Sequence, residues 1–240
     1  MPGDPVKRIA VLAGTLFVLL AAIIAVLSFG PGRAELPPPQ FSRALPEGTQ
    51  GIDVCSYQGE IDWEVVANSG IGFALLRIGY RGYSEGGLYI DEYFEKNFDG
   101  AVAAGLDVGV YFFSQALSDE EAKEEADFVL GILAGRPLGL PVCFDWEVAA
   151  EGRTGGAGNN LTSRADAFCK KIAQSGYTPC VYFNLRQLMS SYDFGRLSYC
   201  ERWMAAYDFN PDISQLNMLQ YSESGSVPGI DTPVDLNLRF

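Results

Sequence analysis

Asp145 and Glu147 close the apolar run LPVCFDWE, with Trp146 between them. A buried carboxyl group is costly unless it is paired or neutralised, so two at the end of such a run need a reason. Residues i and i+2 of a strand share a face, with α-carbons ~6.6 Å apart. Two carboxyl groups on one face, one kept protonated by crowding and burial, are the equipment for general-acid cleavage of a bond between sugars. A surface acid pair or a helix cap is the plainer reading of an isolated DxE, and the apolar flank argues against it here.

Two further acids have comparable settings. Asp53 follows Gly51 and Ile52 in what reads as the first strand of a folded region, and Asp235 lies in the last strand-like run, VDLN. If the strands close into a barrel, first and last are neighbours, and Asp53 and Asp235 converge on one rim.

The chain has no histidine, which removes the serine and cysteine hydrolases that need an imidazole base and the HExxH zinc enzymes. Acid–base work then falls to carboxylates. The 17 basic residues stand against 30 acidic ones, for a formal charge of -13. Such a surface repels a phosphate backbone, so nucleic acid is not an expected partner. The cysteines, Cys55, Cys143, Cys169, Cys180 and Cys200, form no CxxC and no metal-ligand spacing. Their apolar neighbours favour small buried core residues over a disulfide framework, and neither metal nor cofactor is expected.

The elements that must position these acids follow from the pattern. Strand-like GIDVCS, FALLRIGY, DVGVYFFSQ, LPVCFDWE and TPCVYFN alternate with helix-like DEYFEKNFDGAVAAG, SDEEAKEEADFVL and NLTSRADAFCKKIAQSG. Regular β-α alternation implies a parallel sheet. After Asn184 the strand-like runs RWMAAY, LNMLQYS and VDLNLRF leave little room for full helices. The fold class is α/β: eight strands in a shortened TIM-like barrel of about 190 residues, against ~250 for a full one, with its site at the strand C-termini.

Ile9 to Phe29 carries no charge and is long enough to cross a bilayer as a helix. Lys7 and Arg8 before it place the N-terminus in the cytoplasm and the rest outside. Gly32 and Ala34 leave a cleaved signal peptide as the competing reading. The expected organisation is a cytoplasmic tail over 1–8, a transmembrane anchor over 9–29, a Pro-rich linker over 30–50 and a barrel over 51–240. The acidic excess lies entirely after residue 50.

Aromatics near the predicted strand ends, Tyr80, Tyr111, Tyr182, Trp203 and Tyr207, offer faces on which sugar rings stack, with core packing as the alternative for each. Asn184 and Gln220 could donate to sugar hydroxyls or acetamido groups, or could be satisfied buried amides. Arg77, a charge inside FALLRIGY, needs a partner and is expected to pair with one of the rim acids.

GIDVCSYQGEIDW (Gly51 to Trp63), the FDWE of the fourth strand-like run, MLQYSESGSVPGI (Met218 to Ile230) and the closing VDLN resemble glycoside hydrolase family 25, the Chalaropsis-type lysozymes. The likeness covers nearly everything from Gly51 onward. It implies a barrel of five β-α units and three further strands, and an N-acetylmuramidase that cuts the β-1,4 bond from N-acetylmuramic acid to N-acetylglucosamine in peptidoglycan glycan strands. It also implies Glu147 as general acid, Asp145 orienting the substrate's 2-acetamido group, and Asp53 and Asp235 completing the acidic rim. Many members of that family carry histidine in the motif matching GVYFFS, where this chain has Phe112 and Phe113, so no imidazole acts there.

Two other functions fit less well. A barrel that only binds glycan has no need for all these acids, and a chitinase-like hydrolase would show a longer DxxDxDxE pattern where this chain has DWE. Substrate-assisted retention is the expected stereochemical course, with inversion through Asp53 or Asp235 as the alternative.

Overall fold

The computed structural model describes residues 47–148, 152–153 and 161–240. The tail, anchor and most of the linker expected before residue 47 lie outside the described residues. Among the described residues no helix is long and apolar enough to cross a membrane.

The chain runs β1 (Thr49–Val54), α1 (Trp63–Asn68), β2 (Phe73–Arg81), β3 (Leu88–Ile90), α2 (Phe94–Ala103), β4 (Asp107–Ser114), α3 (Asp119–Leu133) and β5 (Val142–Trp146). It continues with α4 (Leu161–Gln174), β6 (Pro179–Asn184), α5 (Leu185–Ser190), β7 (Glu201–Ala205), β8 (Met218–Gly225) and β9 (Val234–Arg239). Strand order is β1-β9-β8-β7-β6-β5-β4-β2, and pairing of β1 with β2 closes the ring. The pairs from β1 through β2, β4, β5, β6 and β7 to β8 are parallel, whereas β9 is antiparallel to both of its neighbours. This is the expected eight-stranded barrel, with five β-α units followed by β7, β8 and β9.

β3 is an addition that the sequence pattern does not announce. It pairs antiparallel with the end of β2 and lies outside the ring. With three residues, two of them exposed, it lacks the alternation that marks a half-buried strand.

Two apolar clusters lie on opposite faces of the sheet. Phe73, Leu75, Tyr111, Cys143, Cys180, Tyr182, Trp203 and Met218 fill the barrel interior. Val54, Leu76, Phe112, Phe144 and Phe183 face outward against Val66, Phe98, Val129 and Phe168 of the helices. Every residue of β5 is buried, as a strand covered on both faces requires. Gly51 makes the barrel floor possible, because a Cβ there would stand 2.3 Å from the Phe73 ring.

The longest helix shows how local sequence sets an element. Ser118 caps α3 by accepting from the Glu121 amide, with Asp119, Glu120 and Glu121 in its first turn, where they complement the helix dipole. The helix stops at Ala134, whose φ of 48° is left-handed. All five cysteines are buried and free, in keeping with their apolar neighbours.

Candidate active site

The strand ends gather the acids. Asp53 of β1 lies opposite Asp235 of β9 in register, so the convergence inferred from barrel closure is met. On β5, Asp145 and Cys143 point inward while Phe144 points to the helices, and Glu147 follows beyond Trp146. Trp146 takes the outward turn of the alternation and donates its indole N–H to the Ala116 carbonyl at 3.0 Å.

The Asp53–Asp235 side is tightly bonded. Asp53 Oδ2 accepts from Gln220 Nε2 and from Asn237 Nδ2, both at 2.8 Å. Gln220 Nε2 also donates to Asp235 Oδ2 at 3.1 Å. Gln220 Oε1 accepts the hydroxyls of Tyr182 at 2.8 Å and Tyr207 at 2.7 Å. The amide is saturated, with two donors and two acceptor positions engaged.

The β5 side differs. Asp145 is buried, and its Oδ1 has no hydrogen-bond partner among the described residues. Such an atom is expensive to leave unpaired. Glu147 is half-buried, and its backbone is clamped from both sides. Gln115, just after β4, donates to the Glu147 carbonyl at 2.9 Å. Gln187 of α5 donates to the preceding Trp146 carbonyl at 2.7 Å.

Burial and mutual repulsion raise the pKa values of this group and so favour its protonated forms. Burial, then the Glu147 and Asp53 charges, push the Asp145 carboxyl well above the usual carboxylate range, with Arg77 pulling it partly back. Burial and the Asp53 charge raise Glu147. Asp235 is pushed up to about 8 by burial and by Asp53 beside it. Asp53 is raised by burial, while the Asn237 and Gln220 donors work against the rise. Each shift favours the protonated form, which an acid catalyst needs.

The aromatic and amide candidates divide. Tyr182 and Tyr207 reach the acids through Gln220. Trp203 is buried inside the barrel and uses its indole N–H on Asn237 Oδ1 at 2.8 Å, so it offers no face to a sugar. Tyr111 is also buried, edge-on to Trp203 with ring centroids 6.0 Å apart. Asn184 caps α5, accepting from the Gln187 amide at 3.1 Å. Tyr80 is half-buried and stacks on Tyr89 at 5.4 Å.

Arg77 corrects an expectation. Its partner is the buried Asp91, with Nε to Oδ2 at 2.8 Å, and Nη2 also donates to Ser56 Oγ at 3.0 Å. Asp91 follows the unforeseen β3, so the sequence pattern could not place it near Arg77. The guanidinium lies 5.4 Å from the ring centroids of Tyr57 and Tyr80, an arrangement of cation–π type. Gln115, Gln187, Asn237 and Asp91 are the residues that sequence reasoning passed over. Single amides and a lone acid carry no spacing signal that would single them out.

A shortened parallel barrel whose C-terminal rim gathers carboxyl groups, in a chain without histidine, is the architecture of a carboxylate-dependent glycosidase. The model for the glycosyl hydrolases family 25 matches residues 52–230, and the chain belongs to that family. The Autolytic lysozyme of Clostridium acetobutylicum is 29% identical over 191 residues, covering 78% of this chain and 55% of that relative. This chain thus spans about half the length of that lysozyme. A family 25 glycosyl hydrolase from Bacillus anthracis superposes with a TM-score of 0.70 at 21% identity, over 87% of this chain and 95% of that one. The modular autolysin LytC from Streptococcus pneumoniae, solved with a synthetic peptidoglycan ligand, gives 0.71 at 20% identity over 82% and 48%.

Proposed function

We propose that this protein is a peptidoglycan N-acetylmuramidase, hydrolysing the β-1,4 bond from N-acetylmuramic acid to N-acetylglucosamine. The observation that carries the reading is the gathering of Asp53, Asp145, Glu147 and Asp235 at one barrel rim in a chain of family 25. The lysozyme name of one relative and the peptidoglycan ligand held by another support the choice of substrate. Mass analysis of the reducing ends released from purified peptidoglycan tests it. Muramic-acid ends are expected, and glucosamine ends would make the enzyme a glucosaminidase instead.

In this reading Glu147 is the general acid that protonates the departing glycosidic oxygen. Its raised pKa supports the role, and the backbone clamp holds it still. Asp145 orients the substrate's 2-acetamido group, and its unpartnered Oδ1 suits acceptance of the acetamido N–H. The acetamido oxygen attacks the anomeric carbon from the face opposite Glu147 as the glycosidic bond breaks. Water, giving its proton to the now ionised Glu147, then reopens the resulting oxazoline from the Glu147 face, so that two inversions give net retention. Early-time NMR of the product decides the course: a first-formed β-anomer is expected, and an α-anomer would mean inversion.

The reading extends to location. Residues 9–29 hold the protein in the cytoplasmic membrane, residues 30–48 act as a tether, and the barrel, whose first strand starts at Thr49, works outside. Full-length protein should then stay with membranes through salt and alkaline washing. A mature soluble form with a new N-terminus near Glu35 would show a signal peptide.

A further inference from the structure

We infer that Gln220 and Asn237 are positioning residues that assign the negative charge of the Asp53–Asp235 pair to Asp53 and leave Asp235 as a hydrogen-bond donor at the rim. The inference rests on the proposed muramidase reading for its catalytic meaning, while the charge assignment is tested without turnover.

Each amide is oriented from behind by a group that can only give a proton or is placed to give one. The Trp203 indole N–H is a donor only, and it points at Asn237 Oδ1 at 2.8 Å. Asn237 must therefore turn its Nδ2 to Asp53, which it meets at 2.8 Å. The Tyr182 and Tyr207 hydroxyls donate to Gln220 Oε1, so Gln220 turns its Nε2 to the acids. Asp53 Oδ2 then collects two N–H donors at 2.8 Å, whereas Asp235 Oδ2 receives one at 3.1 Å.

Two carboxyl groups opposite one another in a buried setting cannot both ionise at low cost. The charge settles where donors stabilise it, on Asp53, and the proton stays on Asp235. The surroundings agree in sign. Asp235 is pushed up to about 8 by burial, by Asp53, and further by Glu223 and Glu147. Asp53 is pulled back by Asn237, Gln220 and a hydrogen bond with Asp235 itself. Other ionisable groups facing the pair are Asp145 on β5, Tyr111 on β4, Tyr207 beyond β7 and Cys55 beyond β1. A protonated Asp235 donates its hydrogen bond to Asp53 and takes no proton from water.

Carboxyl carbon-13 titration of the full-length chain is the test, with Asp53→Asn and Asp235→Asn assigning the signals. Asp53 should ionise first, and Asp235 only near pH 8. Gln220→Met should move the Asp53 step upward by about one to two pH units, the worth of one hydrogen bond to a charged acceptor. Tyr207→Phe keeps the amide but removes one of its two anchors, and it should give a smaller shift of the same sign. That half-buried position also covers the case in which Gln220→Met does not fold. Ionisation of Asp235 before Asp53, or an unmoved Asp53 step in every folded variant, overturns the inference. Failure of the wild type to cut peptidoglycan would remove the muramidase reading and leave the titration result standing.

Discussion

Asp53 and Asp235 lie across two strands and are tied together by side-chain amides, with Gln220 bonded to both. Asp145 and Glu147 leave from one strand. Asp145 keeps an oxygen without a partner among the described residues, and Glu147 is fixed through its backbone carbonyl and that of Trp146. The first pair is satisfied in the resting protein, and a substrate adds little to it. The second has a buried acceptor that a substrate N–H would satisfy. Difference in hydrogen bonding, at similar burial, separates a supporting pair from a reacting one.

That comparison breaks most visibly at Glu147. Glu147→Gln preserves shape and removes the transferable proton, so turnover on peptidoglycan should fall by about 10²–10⁴, the usual worth of general-acid help. Near-normal turnover would move the acid role elsewhere, and Asp235, holding its proton to about pH 8, would be the next candidate.

Asp145 sharpens the contrast. Asp145→Asn keeps the volume and weakens the acceptor, with an expected loss of about 10²-fold, comparable to removing one preorganised hydrogen-bonding group from an active site. On de-N-acetylated glycan strands, wild type and variant should be equally slow, because the group that Asp145 holds is gone. A full variant defect on that substrate would separate Asp145 from the acetamido group.

The barrel and its acids were legible because their signals are periodic. Strand runs such as FALLRIGY and LPVCFDWE read as buried, and strand closure put Asp53 beside Asp235. What was illegible has no period. β3 is short and mostly exposed, and missing it hid Asp91, the partner of Arg77. The amides Gln115, Gln187 and Asn237 act through hydrogen bonds that only the fold brings together. Trp203 and Asn184 looked available from sequence because an aromatic or an amide at a strand end shows no sign of whether its polar group is already bonded.

The backbone clamp gives a smaller effect. Gln187→Leu removes the donor to the Trp146 carbonyl without touching a carboxyl group. A displaced Glu147 should cost about tenfold or more in kcat, since small errors in placement weigh heavily on reacting groups. KM should hold, because the loss lies in positioning and not in binding. A rise in KM with unchanged kcat would mean that α5 meets the glycan directly.

The smallest expected effect is on stability, and it probes the satisfied pair. Asp235 has a folded value of about 8 against an ordinary 3.8, so between these values the folded state holds a proton that the unfolded state has lost. Stability contributed in this way is fully present below about pH 4 and falls as pH rises toward 8. Glu125, buried against Ser114 and Arg81 and raised to about 7, acts with the same sign. Asp235→Asn cannot titrate, so its melting temperature should fall less steeply with pH than that of the wild type across this window. The two curves should lie nearest at the acid end and separate toward pH 8, with the variant the more stable there. Parallel curves would mean that Asp235 is ionised in the folded protein at neutral pH, and the division between a supporting pair and a reacting pair would then have to be redrawn around Asp53 and Asp235 as two charges.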